Sequence, residues 1–305
     1  MAKFQINILG CGSATPSMRH LPSCQVIDFR DRLMMIDCGE GAQLQMRRMG
    51  LKFSRLRHIF ISHMHGDHFF GLPGLLSTMA LHSVGGTVTV HLFQEGADIL
   101  RRIMEMFCGE TSFDIEYNII RPERAIILDE PALTVETVPL FHRVPTVGFI
   151  FRERPKERHL RGDMVKYFNI PLSKLPAIKS GADFIRDDGT VIANSRLTTD
   201  ADPSVSYGYI SDTAFDPRTI SAFRGVETLY HEATYADAEA HKAAPRGHST
   251  AREAGKTARK ALAKRLILGH FSKMYTTEHA HTAEAAQEFG GEIIAANEGM
   301  RISLL

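Results

Sequence analysis

Apolar residues along this chain gather in short runs that end on turn-forming or polar residues, and the runs alternate with longer stretches of helical spacing. Short apolar runs over 4–9, 25–29, 33–37 and 59–62 read as strands. A helix is expected over 41–49, with Leu44 and the Arg47/Arg48 pair on different faces, and another over 72–81. A strand over 87–93, a helix over 97–107, and strands over 113–120, 133–139 and 149–151 follow. After Val205 the alternation resumes, with strands over 207–211, 228–230 and 265–268 and a helix over 250–263. Ser249 or Thr250 can cap that helix, because Glu253 sits where the reciprocal half of a capping box belongs. No internal repeat or low-complexity tract interrupts the pattern. Both halves alternate strand and helix in the same way, and both end strands on His or Asp. The expectation is an α/β fold, an αββα sandwich of two face-to-face sheets with helices outside and a site along one edge.

Composition changes this picture in one place. The 305 residues are 44% hydrophobic and 23% charged, ordinary for a globular protein and long enough for one large domain over 1–305. A net charge of +1 rules out a global polyanion-binding surface. The segment 152–179, however, carries eight basic against three acidic side chains, a local net of +5, together with Pro155, Pro171 and Pro176. It is expected to protrude as a basic insertion, with Arg152, Arg154, Lys156, Arg158 and Arg161 as candidate phosphate contacts; an ordinary solvated loop is the alternative. Cys11, Cys24, Cys38 and Cys108 show no C-x-x-C pair, which argues for free thiols in a reducing compartment. The first residues carry no apolar signal region and no run approaches the length of a membrane span, so a cytoplasmic protein with no membrane partner is expected.

The chemistry concentrates in Ser62-His63-Met64-His65-Gly66-Asp67-His68. A strand ending here places His63 and His65 on one face, with Asp67 and His68 on the following turn. Imidazoles and a carboxylate suit zinc and similar ions, and two directions of approach suggest two adjacent metals. Four residues cannot complete two coordination shells. His142, Asp212 and His270 each follow an apolar strand directly, and His231 and His248 have similar settings. Each alone is as consistent with capping or packing as with ligation.

His63-Met64-His65-Gly66-Asp67-His68, with His142, Asp212 and His270 further on, resembles the metallo-β-lactamase superfamily. Asn7-Ile8-Leu9-Gly10-Cys11-Gly12-Ser13, Ile36-Asp37-Cys38-Gly39-Glu40-Gly41, His231-Glu232-Ala233-Thr234 and His248-Ser249-Thr250 narrow the resemblance to the ribonuclease Z family of tRNA 3′-processing endonucleases. The resemblance implies a metallo-β-lactamase-like fold and two Zn2+ per subunit, with Mn2+ or Fe2+ as alternatives. It implies that His63, His65 and His142 bind one ion, Asp67, His68 and His270 the other, and that Asp212 bridges them around a shared water or hydroxide. Asp67 would orient or deprotonate that attacking water, which displaces the 3′-oxygen in line. His248 would protonate the leaving oxygen, Glu232 would hold His248, and Asp37 would brace the metal loop through hydrogen bonds.

It further implies precursor tRNA as partner, a homodimer, and a basic arm at 152–179. Two departures bear on the substrate. Asn169-Ile170-Pro171-Leu172 replaces the family's Gly-Pro arm tip, and Pro16-Ser17-Met18-Arg19-His20 lacks the Lys of the loop that senses a CCA end. A hydrolase of small phosphodiesters and a non-catalytic RNA-binding protein are the competing readings.

Overall fold

The apolar runs form strands buried on both faces. Phe4–Gly10, Cys24–Phe29 and Arg32–Ile36 hide almost every side chain instead of every second one, as expected for strands covered by helices on one side and a second sheet on the other. The computed structural model describes residues 4–304. Its first large sheet orders Arg301–Ser303, Phe4–Gly10, Cys24–Phe29, Arg32–Ile36, Leu56–Phe60, Thr87–Leu92 and Asp114–Ile119. The second orders Glu292–Ala295, Arg265–Gly269, Thr228–Glu232, Ser206–Ile210, Val147–Glu153, Leu133–Pro139 and Ala125–Asp129.

The sheets meet through large side chains. Phe60 packs on Phe149 and Phe151 with ring centroids 5.5 and 5.4 Å apart, and the Tyr207 hydroxyl donates to Gln25. Ala42–Arg48, Gly71–Leu81 and Gln94–Phe107 cover the outer face of the first sheet through Met46, Leu75, Met79, Leu100 and Met104. Ala251–Lys260 and His279–Ala286 lie outside the second. Thr250 is the N-cap of Ala251–Lys260, and the capping box with Glu253 is present in both directions. The two-sheet sandwich flanked by helices is the architecture the sequence predicts.

Within each sheet a run of parallel strands matters for the site. Arg32–Ile36, Leu56–Phe60, Thr87–Leu92 and Asp114–Ile119 run parallel, as do Ser206–Ile210, Thr228–Glu232, Arg265–Gly269 and Glu292–Ala295. Parallel strands deliver all their carboxyl ends to one edge, where ligand sites of α/β sheets form.

Chain contacts divide the protein into two compact units, Met1–Asp129 with Thr134–Phe151 and Ser206–Leu305, and Glu130–Leu133 with Arg152–Val205. The second unit has a core of its own, built from Phe168, Ile170, Ile178, Phe184, Ile192 and Leu197. Two short ladders brace it, His159–Leu160 with Thr198–Thr199 and Phe184–Ile185 with Val191–Ile192. The insertion therefore runs well past the 179 at which the basic stretch ends. Its second half, 180–205, carries Arg186 and Arg196 against five aspartates, which brings the whole of 152–205 to a net of +2.

Candidate metal centre

The motif strand closes earlier than expected, at Phe60, and Gly66–Phe69 forms a helical turn in place of the expected simple turn. His63 and His65 precede that turn and Asp67 and His68 lie in it. Asp212 follows Ser206–Ile210, and His270 follows Arg265–Gly269. His142 sits in the loop after Leu133–Pro139. The chain ends of both sheets thus supply one edge.

The seven predicted side chains converge there in two groups. His63, His65, His142 and Asp212 form one, and Asp67, His68 and His270 the other. His65 Nδ1 lies 3.0 Å from His63 Nε2 and 3.3 Å from His142 Nε2. His68 Nε2 and His270 Nε2 are 3.4 Å apart, and each is 3.5 Å from Asp67 Oδ2. Asp212 faces both groups. Its Oδ2 lies 3.7 Å from His63 Nε2 and 3.8 Å from His142 Nε2. Its Oδ1 lies 3.4 Å from His68 Nε2 and 3.1 Å from His270 Nε2.

The outward ring nitrogens fix the tautomers. His142 Nδ1–H donates to the Gly247 carbonyl at 2.7 Å, leaving Nε2 as the lone pair that points inward. Gly247 has a φ of +72°, and a Cβ there would stand 2.6 Å from His142 Nδ1, so the approach requires glycine. His270 Nδ1 bonds Thr234 Oγ1 at 2.9 Å. His68 Nδ1–H donates to Asp37 Oδ2 at 2.7 Å. Asp37 also accepts the Ser62 amide at 2.7 Å, the Ser62 hydroxyl at 2.9 Å and the Tyr209 hydroxyl at 2.7 Å. It touches the ring that faces the centre and the backbone just before His63.

This arrangement fits divalent cations. Asp212 Oδ1 is buried without a hydrogen-bond donor, a costly state that a cation between the groups relieves. Neutral imidazoles and ionised carboxylates are the required protonation states. Burial is the largest influence on His63, His65 and His142 and lowers the pKa of each below the usual histidine value. Burial opposes ionisation of Asp67 and Asp212, but the surrounding imidazoles outweigh it and hold both carboxyls well below the usual range.

The other predicted residues divide. His248 lies beside the centre, 3.9 Å from Asp212 Oδ2. Its Nδ1 is 3.0 Å from Glu232 Oε1. Burial opposes its charge, yet Glu232 dominates and raises its pKa to about 9. Glu232 is fully buried and accepts the amides of Thr213, Ser249 and Thr234 at 3.1, 2.9 and 3.0 Å, which ties three loops to one carboxylate. Ser249, the other capping candidate, instead donates its hydroxyl to the Thr213 carbonyl. His231 turns away, bonding the Glu232 carbonyl, and is a packing residue. The four cysteines are free and mostly buried.

Arg152, Arg154, Lys156, Arg158 and Arg161 lie in the second unit, where Lys156, Arg158 and Arg161 are each engaged by a carboxylate. Lys156 pairs with Glu153, Arg158 with Asp200 and Arg161 with Asp163. Arg154 Nε donates to the Glu130 carbonyl.

A cavity of about 280 Å³ opens onto the centre. Besides His65, Asp67, Asp212, His248 and His270 it is lined by Arg143, Arg246, Lys273 and Tyr235. These four were not singled out in the sequence. Arg143 adjoins His142 and Arg246 stands two residues before His248, so adjacency to the predicted site residues was the available signal.

Known proteins are similar to this chain in sequence and in fold. A family model described as "Anti-Pycsar protein Apyc1" matches residues 4–102. A ribonuclease Z of Parabacteroides distasonis is 47% identical over 305 residues, covering 100% of both chains. The crystal structure of human tRNase Z, short form, is 26% identical, with a TM-score of 0.72 over 99% of each chain. The metallo-β-lactamase fold protein YhfI of Bacillus subtilis shares the fold at 17% identity and a TM-score of 0.67, again over 99% of each chain.

Proposed function

Because this chain belongs to the ribonuclease Z family, the tRNA 3′-processing endoribonucleases of metallo-β-lactamase fold, we propose that its seven convergent side chains hold two Zn2+ ions that serve this hydrolysis. Mn2+ or Fe2+ would suit the same nitrogen and oxygen donors. His63, His65 and His142 would hold one ion, Asp67, His68 and His270 the other, with one oxygen of Asp212 for each. The observation that carries this reading is the Asp212 carboxylate, whose two oxygens face two separate ligand groups. When bound, such a pair lowers the pKa of water and neutralises charge on a reacting phosphate.

The protein's own residues supply the remainder. Asp67 Oδ2, set by the Ala14 amide at 2.7 Å, orients the attacking water and accepts its proton. Water oxygen attacks phosphorus, and the bond from phosphorus to the 3′-oxygen breaks. His248, charged through Glu232, gives that oxygen a proton. The products are a tRNA 3′-hydroxyl and a trailer 5′-phosphate. Arg143, Arg246 and Lys273 at the cavity mouth attract the phosphates on either side of the scissile bond. Arg246 is steadied by the Tyr235 hydroxyl at 2.9 Å.

The second unit is the candidate tRNA-binding arm. Its net charge is modest and Lys156, Arg158 and Arg161 are ion-paired, so phosphate must compete with aspartate and glutamate for them. A homodimer working in the cytoplasm is part of the same reading, and no helix among the described residues is long and apolar enough to cross a membrane.

The deciding experiment incubates the protein with end-labelled precursor tRNA, with and without an encoded CCA, and maps both product ends. Cleavage beside the discriminator base that stops with chelator is expected. Turnover of bis(p-nitrophenyl) phosphate with no cleavage of any precursor would instead favour a small-diester hydrolase.

A further inference from the structure

Residues 13–20 connect the metal centre to a second charged cluster that the hydrolysis does not use. At one end Ala14 N–H donates to Asp67 Oδ2 at 2.7 Å, and Ser13 N–H donates to the Phe271 carbonyl at 3.1 Å, next to His270. The segment thus touches the loops of both sheets that carry proposed ligands. Ala14 holds a φ of +58°, a conformation an alanine adopts only when its surroundings impose it.

The other end supplies that constraint. Arg19 donates to both oxygens of Glu278 at 2.6 and 2.9 Å and to the Tyr275 carbonyl at 2.9 Å. His20 sits between two carboxylates, with Nε2 3.1 Å from Glu278 Oε1 and Nδ1 3.0 Å from Glu298 Oε2. Glu298 Oε1 also accepts the Leu21 amide at 2.9 Å. The His20 ring packs against Phe271, centroids 5.8 Å apart. Two carboxylates face Arg19 and His20 here. Cys11 Sγ, 3.3 Å from His20 Nδ1, completes the surroundings. Cys11, His20 and Glu298 also lie close enough to share a cation, but each has hydrogen-bond partners within the cluster, so the group is closed as a network.

We propose that Glu278 and Glu298 are positioning residues for the hydrolysis: by clamping Arg19 and His20 they hold residues 13–20 so that the Ala14 amide sets the Asp67 carboxylate. The carboxylates act on Asp67 only through the loop and touch neither substrate nor cation. The inference rests on the proposed role of Asp67. Misplacement of a reacting group by a fraction of an ångström to one ångström costs up to about 100-fold in rate, so a loosened clamp has a measurable effect without unfolding anything.

The test measures kcat and KM for Glu278→Gln, Glu298→Gln and Arg19→Glu on precursor tRNA and on bis(p-nitrophenyl) phosphate, with metal content and thermal midpoint for each. Roughly tenfold lower kcat on both substrates is expected, with the KM of the small diester and the metal content unchanged. The double variant Arg19→Glu/Glu278→Arg restores the pair in reverse and is expected to recover most of that kcat. Variants with lowered midpoints but wild-type kcat, or a charge swap that recovers midpoint and not kcat, would overturn the proposal. Failure of the two-cation reading is separate, because it would show in the wild-type protein as absent metal and absent turnover.

Discussion

Replacing Asp37 with Asn exchanges one carboxylate oxygen for an NH2 group and switches the tautomer of a histidine ring. Asp37 has a φ of +54°, which Asn tolerates at least as well, so the backbone is not stressed. Only one orientation of the new amide works. The Ser62 amide points at Oδ1 from 2.7 Å, and an NH2 there would set donor against donor. The NH2 must therefore take the Oδ2 position, facing His68 Nδ1, the Ser62 hydroxyl and the Tyr209 hydroxyl. Both hydroxyls can turn and accept. His68 Nδ1 can accept only by giving up its proton, and a neutral imidazole must then carry the proton on Nε2. That nitrogen faces Asp67, Asp212 and His270, so the ligand lone pair of the second ion is lost or bought back by a donor clash. Loss of such an outer hydrogen bond weakens metal binding by about 10–100-fold, or roughly 1.4–2.7 kcal/mol at 1.36 kcal/mol per decade. Competition with a calibrated chelator reads the affinity of each ion, and circular dichroism checks the fold. Folded Asp37→Asn protein that binds both ions with wild-type affinity would refute the tautomer argument.

Other perturbations test separate parts of the account. Glu232→Gln sets an amide against buried donors in a network joined to His248. Breaking such a buried charged pair costs about 3–5 kcal/mol, and a urea midpoint implying less than about 1 kcal/mol would count against that hub, on the scale of one ordinary hydrogen bond. His91 is buried and its pKa is lowered to about 3, chiefly by burial and then by His58. Its folded pKa lies below the unfolded value, so its contribution is whole above about 6.5 and fades as pH falls toward 3. At pH 5 the loss is about 2 kcal/mol, so wild type should lose that much more than His91→Gln between pH 7.5 and 5, and parallel stability curves would disprove it. Arg143→Gln, Arg246→Gln and Lys273→Gln should each flatten the salt dependence of log kcat/KM on precursor tRNA by about one unit of slope, whereas an unchanged slope removes these cations from phosphate binding. Removing the arm requires excising 154–204, because a cut at 179 strips Phe184, Ile192 and Leu197 of their core; the Glu153 amide to Val205 carbonyl bond at 3.0 Å brings the ends together. Cleavage of precursor tRNA should collapse while small-diester turnover persists, and equal retention of both would deny the arm its role.

The central strands and the converging side chains were legible for one reason. Strands covered on both faces become continuous apolar runs, and a His or Asp directly after such a run stands at the sheet edge. Some missing elements carry that signature only in part. Ala125–Asp129 and Glu292–Ala295 hold the short apolar runs Ala125-Ile126-Ile127-Leu128 and Ile293-Ile294-Ala295 but are half-exposed edge strands, and Arg301–Ser303 is an edge strand with a single apolar residue. His279–Ala286 has no clear apolar stripe. The arm was located by charge, and charge reverses at its midpoint while its apolar core continues. The hydroxyls bonded to the converging side chains were hidden for a different reason. Ser62 meets Ser211 at 2.9 Å across 149 residues of chain, and Tyr209 and Thr234 read as ordinary strand and turn residues until the sheets are packed.

The account stands most directly on the metal content of the purified protein and of its Asp212→Ala variant, measured by mass spectrometry after exchange into metal-free buffer. Two equivalents of divalent ion per folded wild-type chain, with both depleted in the variant, is the result expected of a carboxylate shared by two sites. A wild-type chain that retains one ion or none, or a variant that still retains two, would contradict it.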